Sequence, residues 1–120
     1  MGFIIYGLLF TLVALFFVSR MLPAKGVRQI STTELKGLLN QKGYQFIDVR
    51  TPQEFKANHI RRFINIPLTR LMNSQNKLSK DKEIVVICQT GARSNNATKI
   101  LKKRGFTKLA NVRGGMSAWR

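Results

Sequence analysis

Ile84-Val85-Val86-Ile87-Cys88-Gln89-Thr90-Gly91-Ala92-Arg93-Ser94 is the stretch from which the fold is read. Its unbroken apolar opening has the composition of a strand covered on both faces in a parallel sheet. The run delivers the only cysteine of the chain. Gly91 then supplies backbone freedom for a tight loop, and a helical pattern opens at Ser94. Strand, tight loop and helix N-terminus together make an anion pocket, because consecutive backbone N–H groups turn inward and the helix end adds partial positive charge. Cys88 is expected at the floor of that pocket. The same amides and the Arg93 guanidinium that attract an oxyanion favour thiolate over thiol, which makes the sulfur a nucleophile aimed at bound anions. A buried structural cysteine is the plainer alternative, but Gly91, Arg93 and Ser94 are not needed for packing.

Outward from this stretch, short strands alternate with helical patterns, the signature of an open parallel α/β sheet with helices on both faces. Val27 to Ile30 reads as a first strand. Ser31-Thr32-Thr33-Glu34 has capping-box spacing, Leu35, Leu38 and Leu39 form the buried stripe of the helix, and Gly43 is expected to end it. Gln45 to Val49 is the second strand, with Asp48 and Arg50 at the carboxyl edge where such sheets place ligands. A structural ion pair or turn is the expected use of Asp48. Thr51-Pro52-Gln53-Glu54 repeats the capping pattern and starts a helix running to about Asn58. Ile64 to Ile66 is a short strand, and a helix from Pro67 to about Asn76 turns Leu68, Leu71 and Met72 inward. Past the cysteine loop, Ala97, Ile100 and Leu101 face the core, Gly105 and Phe106 close the helix in a Schellman arrangement, and Lys108 to Val112 is the last strand. Gly114-Gly115 gives a close turn into Met116-Ser117-Ala118-Trp119, whose tryptophan is expected to close the core.

Cys-x-x-Gly-x-Arg-Ser after a strand resembles the active loop of the rhodanese, or thiosulfate sulfurtransferase, domain. Asp48-Val49-Arg50, Glu54-Phe55, His59-Ile60, Asn65-Ile66-Pro67 and Gly114-Gly115-Met116-Ser117-Ala118-Trp119 fall in the same order as in that family. The resemblance covers about residues 27 to 120. It implies a five-stranded, mostly parallel sheet and a sulfurtransferase acting without a cofactor. Cys88 would attack the sulfane sulfur of a small anionic donor such as thiosulfate, hold it as a persulfide, and pass it to an acceptor thiol on a small molecule or a protein. The loop residues Gln89, Thr90, Gly91, Ala92, Arg93 and Ser94 would bind substrate, Arg93 through its charge and fork of donors, with Asp48 and Arg50 in support. One departure stands out: where the family commonly reads Gly-His-Ile, any residue, Gly-Ala, this chain has Asn58-His59-Ile60-Arg61-Arg62-Phe63. The larger residues would alter the backbone path there and bring Arg61 or Arg62 toward the pocket mouth. His59 as a general base for Cys88 is a weaker reading, since a cradle of amides activates a thiol unaided. Two other functions compete. A phosphatase or arsenate reductase loop has five residues between cysteine and arginine, whereas four separate Cys88 from Arg93. A sulfur-carrier or partner-binding module without turnover of its own is the third reading.

Composition bounds these readings. The 120 residues leave room for one domain of about 95 residues behind an apolar front. One cysteine excludes an intramolecular disulfide and a Cys-x-x-Cys zinc site, and one histidine excludes a multi-histidine metal site. The formal charge of +16 suits anionic ligands or lipid, but the basic clusters are short and lack the interleaved aromatics of a nucleic-acid platform, so no nucleic-acid partner is expected. Residues 2 to 19 carry no charge and as a helix would span roughly 27 Å, close to a bilayer's hydrocarbon thickness. No basic stretch precedes them and no small-x-small cleavage site follows, which favours a retained anchor over a signal peptide. The division expected is a transmembrane helix at 1–20 with Arg20 reaching back to the interface, a linker at 21–26 and the domain at 27–120. Basic residues behind the span place the domain in the cytoplasm, tethered to the cell membrane by one pass, with its basic surface available to anionic lipid.

Overall fold

The computed structural model describes residues 1–74 and 77–120, without the side chains of Arg20 and Met21. The anticipated position of the Arg20 side chain, and the end of the helix expected to reach Asn76, lie outside the described residues. Twelve elements run along the described residues: helix α1 (Gly2–Met21), β1 (Arg28–Ile30), α2 (Thr32–Leu38), β2 (Tyr44–Asp48), α3 (Pro52–Ala57), β3 (Ile64–Asn65), a 3-10 turn (Leu68–Arg70), α4 (Leu71–Ser74), β4 (Glu83–Ile87), α5 (Ala92–Lys103), β5 (Leu109–Val112) and α6 (Gly115–Ala118).

The five strands form one sheet in the order β1-β5-β4-β2-β3, and every pairing is parallel. Alternate residues of the same strands feed two cores. Ile47, Ile84, Val86 and Leu109 face α4 and α5 on one side, where Leu71, Ala97, Leu101 and Phe106 complete the layer. Phe46, Val85, Ile87, Ala110 and Val112 face the other side with Ile30, Leu35 and Phe63. β4 lies between β2 and β5, so both its faces and both its edges are covered, and its apolar run follows from that position. Its carboxyl end is therefore held from both sides, and that end carries Cys88.

Local signals set the helix ends. Both capping boxes form: the Ser31 and Thr51 hydroxyls accept from the amides of Glu34 and Glu54, whose carboxylates accept from the capping residues' own amides. The Schellman closure of α5 forms too, with Phe106 N–H donating to Leu101 O at 3.1 Å and Gly105 N–H to Lys102 O at 3.1 Å. Gly43 does not end α2. The helix stops at Leu38, and Gly43, at φ 92°, instead turns the chain into β2.

Helix α1 is long and apolar enough to cross a membrane, with a mean hydropathy of 2.3 over Gly2–Ser19 and none of that span buried against the rest of the chain. Two of its hydroxyls are satisfied within the helix, Thr11 donating to Gly7 O at 2.9 Å and Ser19 to Phe16 O at 2.7 Å. The residues after it are docked. Ala24 and Val27 belong to the core. The buried Asn95 side chain donates to Leu22 O at 2.8 Å and accepts from the Ala24 amide at 3.2 Å. Lys102 also reaches the Lys25 carbonyl.

Candidate active site

Cys88 is the first residue past β4 and is 1% exposed. Gly91 takes φ 105°, and α5 opens directly after it at Ala92, two residues before the helical pattern suggested. This tight path turns the Gly91 amide onto the sulfur, at 3.0 Å from Sγ. Ser94, one turn into the helix and fully buried, sets its hydroxyl 3.3 Å from Sγ. That hydroxyl also lies 3.1 Å from Gly91 O and 2.5 Å from Oδ1 of the buried Asn111 on β5. The sulfur thus rests between one backbone donor and one side-chain hydroxyl.

The far side of the loop is held by α6. Met116 N–H donates to Cys88 O and Ser117 N–H to Gln89 O, each at 2.9 Å. The approach is so close that a Cβ on Gly115 would lie 2.2 Å from Cys88 O and 2.9 Å from Gln89 C and O. Glycine at 115 is what permits the contact, and its φ of 54° adds a second reason.

Two ion pairs flank the loop. Asp48 and Arg50 are both buried; the guanidinium donates to the carboxylate through Nε and through Nη2, the latter at 2.8 Å, and Nη2 also reaches Asn58 O at 2.6 Å. Arg50 Nη1 lies 3.4 Å from Gln89 Oε1 on the active loop. The pair ties the end of β2 to the loop and to the end of α3. Arg93 binds Glu54 bidentately, at 2.7 Å and 2.9 Å. The Arg93 guanidinium, with help from the Thr51 amide, holds the Glu54 carboxyl down to about 2, and Glu54 in turn holds the Arg93 guanidinium above its ordinary value. Two of Arg93's donors are thereby committed to Glu54 rather than open to an incoming anion.

The residues at the family departure lie elsewhere. Arg62 adopts φ 77°, the conformation a glycine would take at no cost, and donates to the Leu39 and Gln41 carbonyls beyond the end of α2. Its guanidinium covers the Phe46 ring at 4.8 Å. Arg61 is exposed. Arg62 thus closes α2 and does not reach the pocket mouth. His59 stacks on Phe55 at 3.8 Å between ring centroids, with Nδ1 2.8 Å from Phe55 O, and no hydrogen bond joins it to Cys88. Among the described residues no group of three or more His, Cys, Asp or Glu side chains is gathered as a metal site.

Hollows open on both sides of the loop. One, of about 380 Å³, lies against Pro23, Gln29, Asn111 and Arg113; the other, of about 300 Å³, against Arg50, Glu54, Asn58 and Gln89. All the loop residues singled out in the sequence, with Asp48 and Arg50, come together at this edge. Glu54, Asn111 and the α6 amides belong with them and were not expected there. Glu54 was visible as a capping residue and as part of the family pattern but not as a partner of Arg93, and Asn111 carried no signal.

A rhodanese-like domain model matches residues 31–120. Among curated proteins, thiosulfate sulfurtransferase 18 of Arabidopsis thaliana is 35% identical over 116 residues, covering 85% of each chain. The uncharacterized protein YqhL of Bacillus subtilis is 41% identical over 75 residues, 62% of this chain. The chain spans 60% and 52% of the length of two of the curated relatives it matches. Among solved structures, a rhodanese-like domain protein from Staphylococcus aureus superposes with a TM-score of 0.73 at 34% identity, over 78% of this chain and 92% of that one.

Proposed function

The chain belongs to the rhodanese-like family, and on that premise we propose that it is a membrane-tethered sulfurtransferase working through a persulfide on Cys88. The observation that carries this reading is the pair of groups on the sulfur: the Gly91 amide at 3.0 Å and the Ser94 hydroxyl at 3.3 Å. The Gly91 N–H donates to the sulfur and favours its anionic form, and the Ser94 hydroxyl stands within reach to add a second hydrogen bond once its hydrogen is turned toward the sulfur. In the first half-reaction the Cys88 thiolate attacks the outer sulfur of a donor such as thiosulfate. The donor's S–S bond breaks, sulfite leaves with the electron pair, and the outer sulfur stays on Cys88 as a persulfide anion. In the second, an acceptor thiolate attacks that outer sulfur and Cys88 leaves as thiolate. Two half-reactions through one covalent intermediate give ping-pong kinetics.

The loop amides from Gln89 to Ser94 are the proposed cradle for the donor's oxygens, at the N-terminus of the twelve-residue α5. Arg93 acts mainly by tying the loop to α3 through Glu54, and Arg50 by steadying Gln89. Helix α1 is the proposed single-pass anchor in the cell membrane, residues 21–26 the connection, and residues 27–120 the cytoplasmic catalytic domain. Basic residues behind the anchor, Lys25 and Arg28 among them, would meet anionic headgroups.

The test uses the full chain in detergent, reduced and mixed with thiosulfate, read by intact mass beside Cys88→Ser. A gain of one sulfur atom, absent from the variant and removed by cyanide or thiol, is expected. Loading without transfer to any small acceptor would identify a sulfur carrier. No gain from any sulfane donor, with Cys88 still open to alkylation, would overturn the reading.

A further inference from the structure

We propose that Asn111 is a positioning residue that sets the direction of the one hydroxyl hydrogen of Ser94, and that the Asn111 and Gln29 amides turn over when the Cys88 sulfur becomes charged. The proposal rests on Cys88 being the reactive sulfur and adds to that reading the device that lets Ser94 serve two charge states.

Ser94 Oγ has three neighbours, Asn111 Oδ1 at 2.5 Å, Gly91 O at 3.1 Å and Cys88 Sγ at 3.3 Å, and only one hydrogen to give. Gly91 O already accepts from the Asn95 amide at 3.1 Å. The 2.5 Å separation suits O–H···O, so in this direction Ser94 donates to Asn111 and offers the sulfur a lone pair. A neutral thiol can donate to that lone pair. A thiolate or persulfide cannot, and meets oxygen density instead.

The second link supplies the reversal. Asn111 Nδ2 donates to Gln29 Oε1 at 3.0 Å, while Gln29 Nε2 is buried with no partner among the described residues. Turning both amides end for end lets Gln29 Nε2 donate to Asn111 Oδ1 and Asn111 Nδ2 donate to Ser94 Oγ. The Ser94 hydrogen is then free for the sulfur, and the buried N–H has gained an acceptor. The charged groups around the active loop are Arg93 with its partner Glu54 from α3, the Asp48–Arg50 pair at the end of β2, and Arg113 beyond β5, which lines the hollow beside Gly91. None of them joins the Gln29–Asn111–Ser94 chain.

The test is the pH profile of Cys88 alkylation by iodoacetamide on the full chain in detergent, where the single cysteine makes the signal unambiguous. Asn111→Asp can only accept, so it keeps the Ser94 hydrogen away from the sulfur. Its profile should move to higher pH by about one unit, a tenfold slower reaction on the rising limb. The added carboxylate also acts through space, and that part persists in a Ser94→Ala background while the hydroxyl part does not. The shift should therefore be clearly smaller beside Ser94→Ala. Gln29→Glu, also accept-only, fixes Asn111 in the same direction and should repeat the pattern, which serves if Asn111→Asp does not fold. Asn111→Leu offers the hydroxyl no acceptor, and its profile should not rise. Equal shifts in the two backgrounds, or a rise for Asn111→Leu, would overturn the proposal. Failure of the wild type to take up sulfur would instead overturn the sulfurtransferase reading and leave these profiles intact.

Discussion

Gly115→Ala should uncouple α6 from the active loop. The new Cβ would stand 2.2 Å from Cys88 O and 2.9 Å from the Gln89 carbonyl atoms, all of them backbone and unable to step aside. Helix α6 must recede by about 1 Å to restore ordinary contact, and the 2.9 Å bonds from Met116 and Ser117 then stretch beyond useful length. Two such bonds contribute about 1 kcal/mol each, and a side chain at φ 54° costs about 1–2 kcal/mol more, giving a loss of about 3–4 kcal/mol. For a domain of this size that lowers Tm by roughly 15–25 °C. Gly43→Ala is the matched control: its φ is 92° but nothing lies within 4 Å of the added carbon, so it carries the backbone term alone, about 1–2 kcal/mol. The assay is thermal melting followed by circular dichroism, with Cys88 alkylation measured well below the transition. If Gly115→Ala melts within a few degrees of Gly43→Ala and alkylates at the wild-type rate, the contact between α6 and the loop does not hold the site.

Glu54→Gln should flatten the acid limb of stability. The folded carboxyl sits at about 2 against 4.5 for the free group, so the Arg93 pair stabilises fully above pH 4.5 and its contribution disappears as pH falls through about 2. Both side chains are about one third exposed, and screening reduces the effect to about 1 kcal/mol. Urea midpoints at pH 6 and pH 2.5 should show a gap between wild type and variant that is clearly smaller at the lower pH, where it has begun to close; an equal gap at both would refute the pairing. At Arg62, Ala removes the bonds to the Leu39 and Gln41 carbonyls and the cover over Phe46 while keeping φ at 77°, for a loss of about 2 kcal/mol. Arg62→Gly loses the same contacts but sheds the backbone strain, so it should melt above Arg62→Ala, and equal melting would refute the strain.

What the sequence disclosed was what neighbours along the chain decide. The β4 run, the two capping boxes and the Schellman glycine are each fixed within about six residues, and each was readable as written. Gly43 misled because a glycine beyond an apolar stripe ends a helix or turns the chain after it, and only the next strand's position separates the two. Arg62 is expected near the pocket mouth when sequence gives charge without direction; its left-handed backbone aims it at the end of α2 instead. Glu54 was legible as a cap and illegible as the partner of Arg93, since the second role depends on α3 lying beside α5. Asn111 and Asn95 were silent for the same reason: an asparagine finds its buried partner only through tertiary packing. Cys88, Gly91 and Arg93 were legible because the loop that gathers them is contiguous.

The sheet order has a kinetic consequence. β1 at residues 28–30 pairs with β5 at residues 110–112, so the first strand stays without its partner until the last has arrived. Non-local parallel pairing of this kind slows folding, because loops must close before contacts reward them. The clamp from Met116 and Ser117 lies just beyond β5 and depends on the same non-local closure. A chain in which β5 has not docked carries Cys88 with its carbonyl unpinned and with Asn111 away from Ser94. In a refolding experiment the pH dependence of alkylation at this one thiol becomes a clock for the final docking step, read at the atom where the chemistry is proposed to occur.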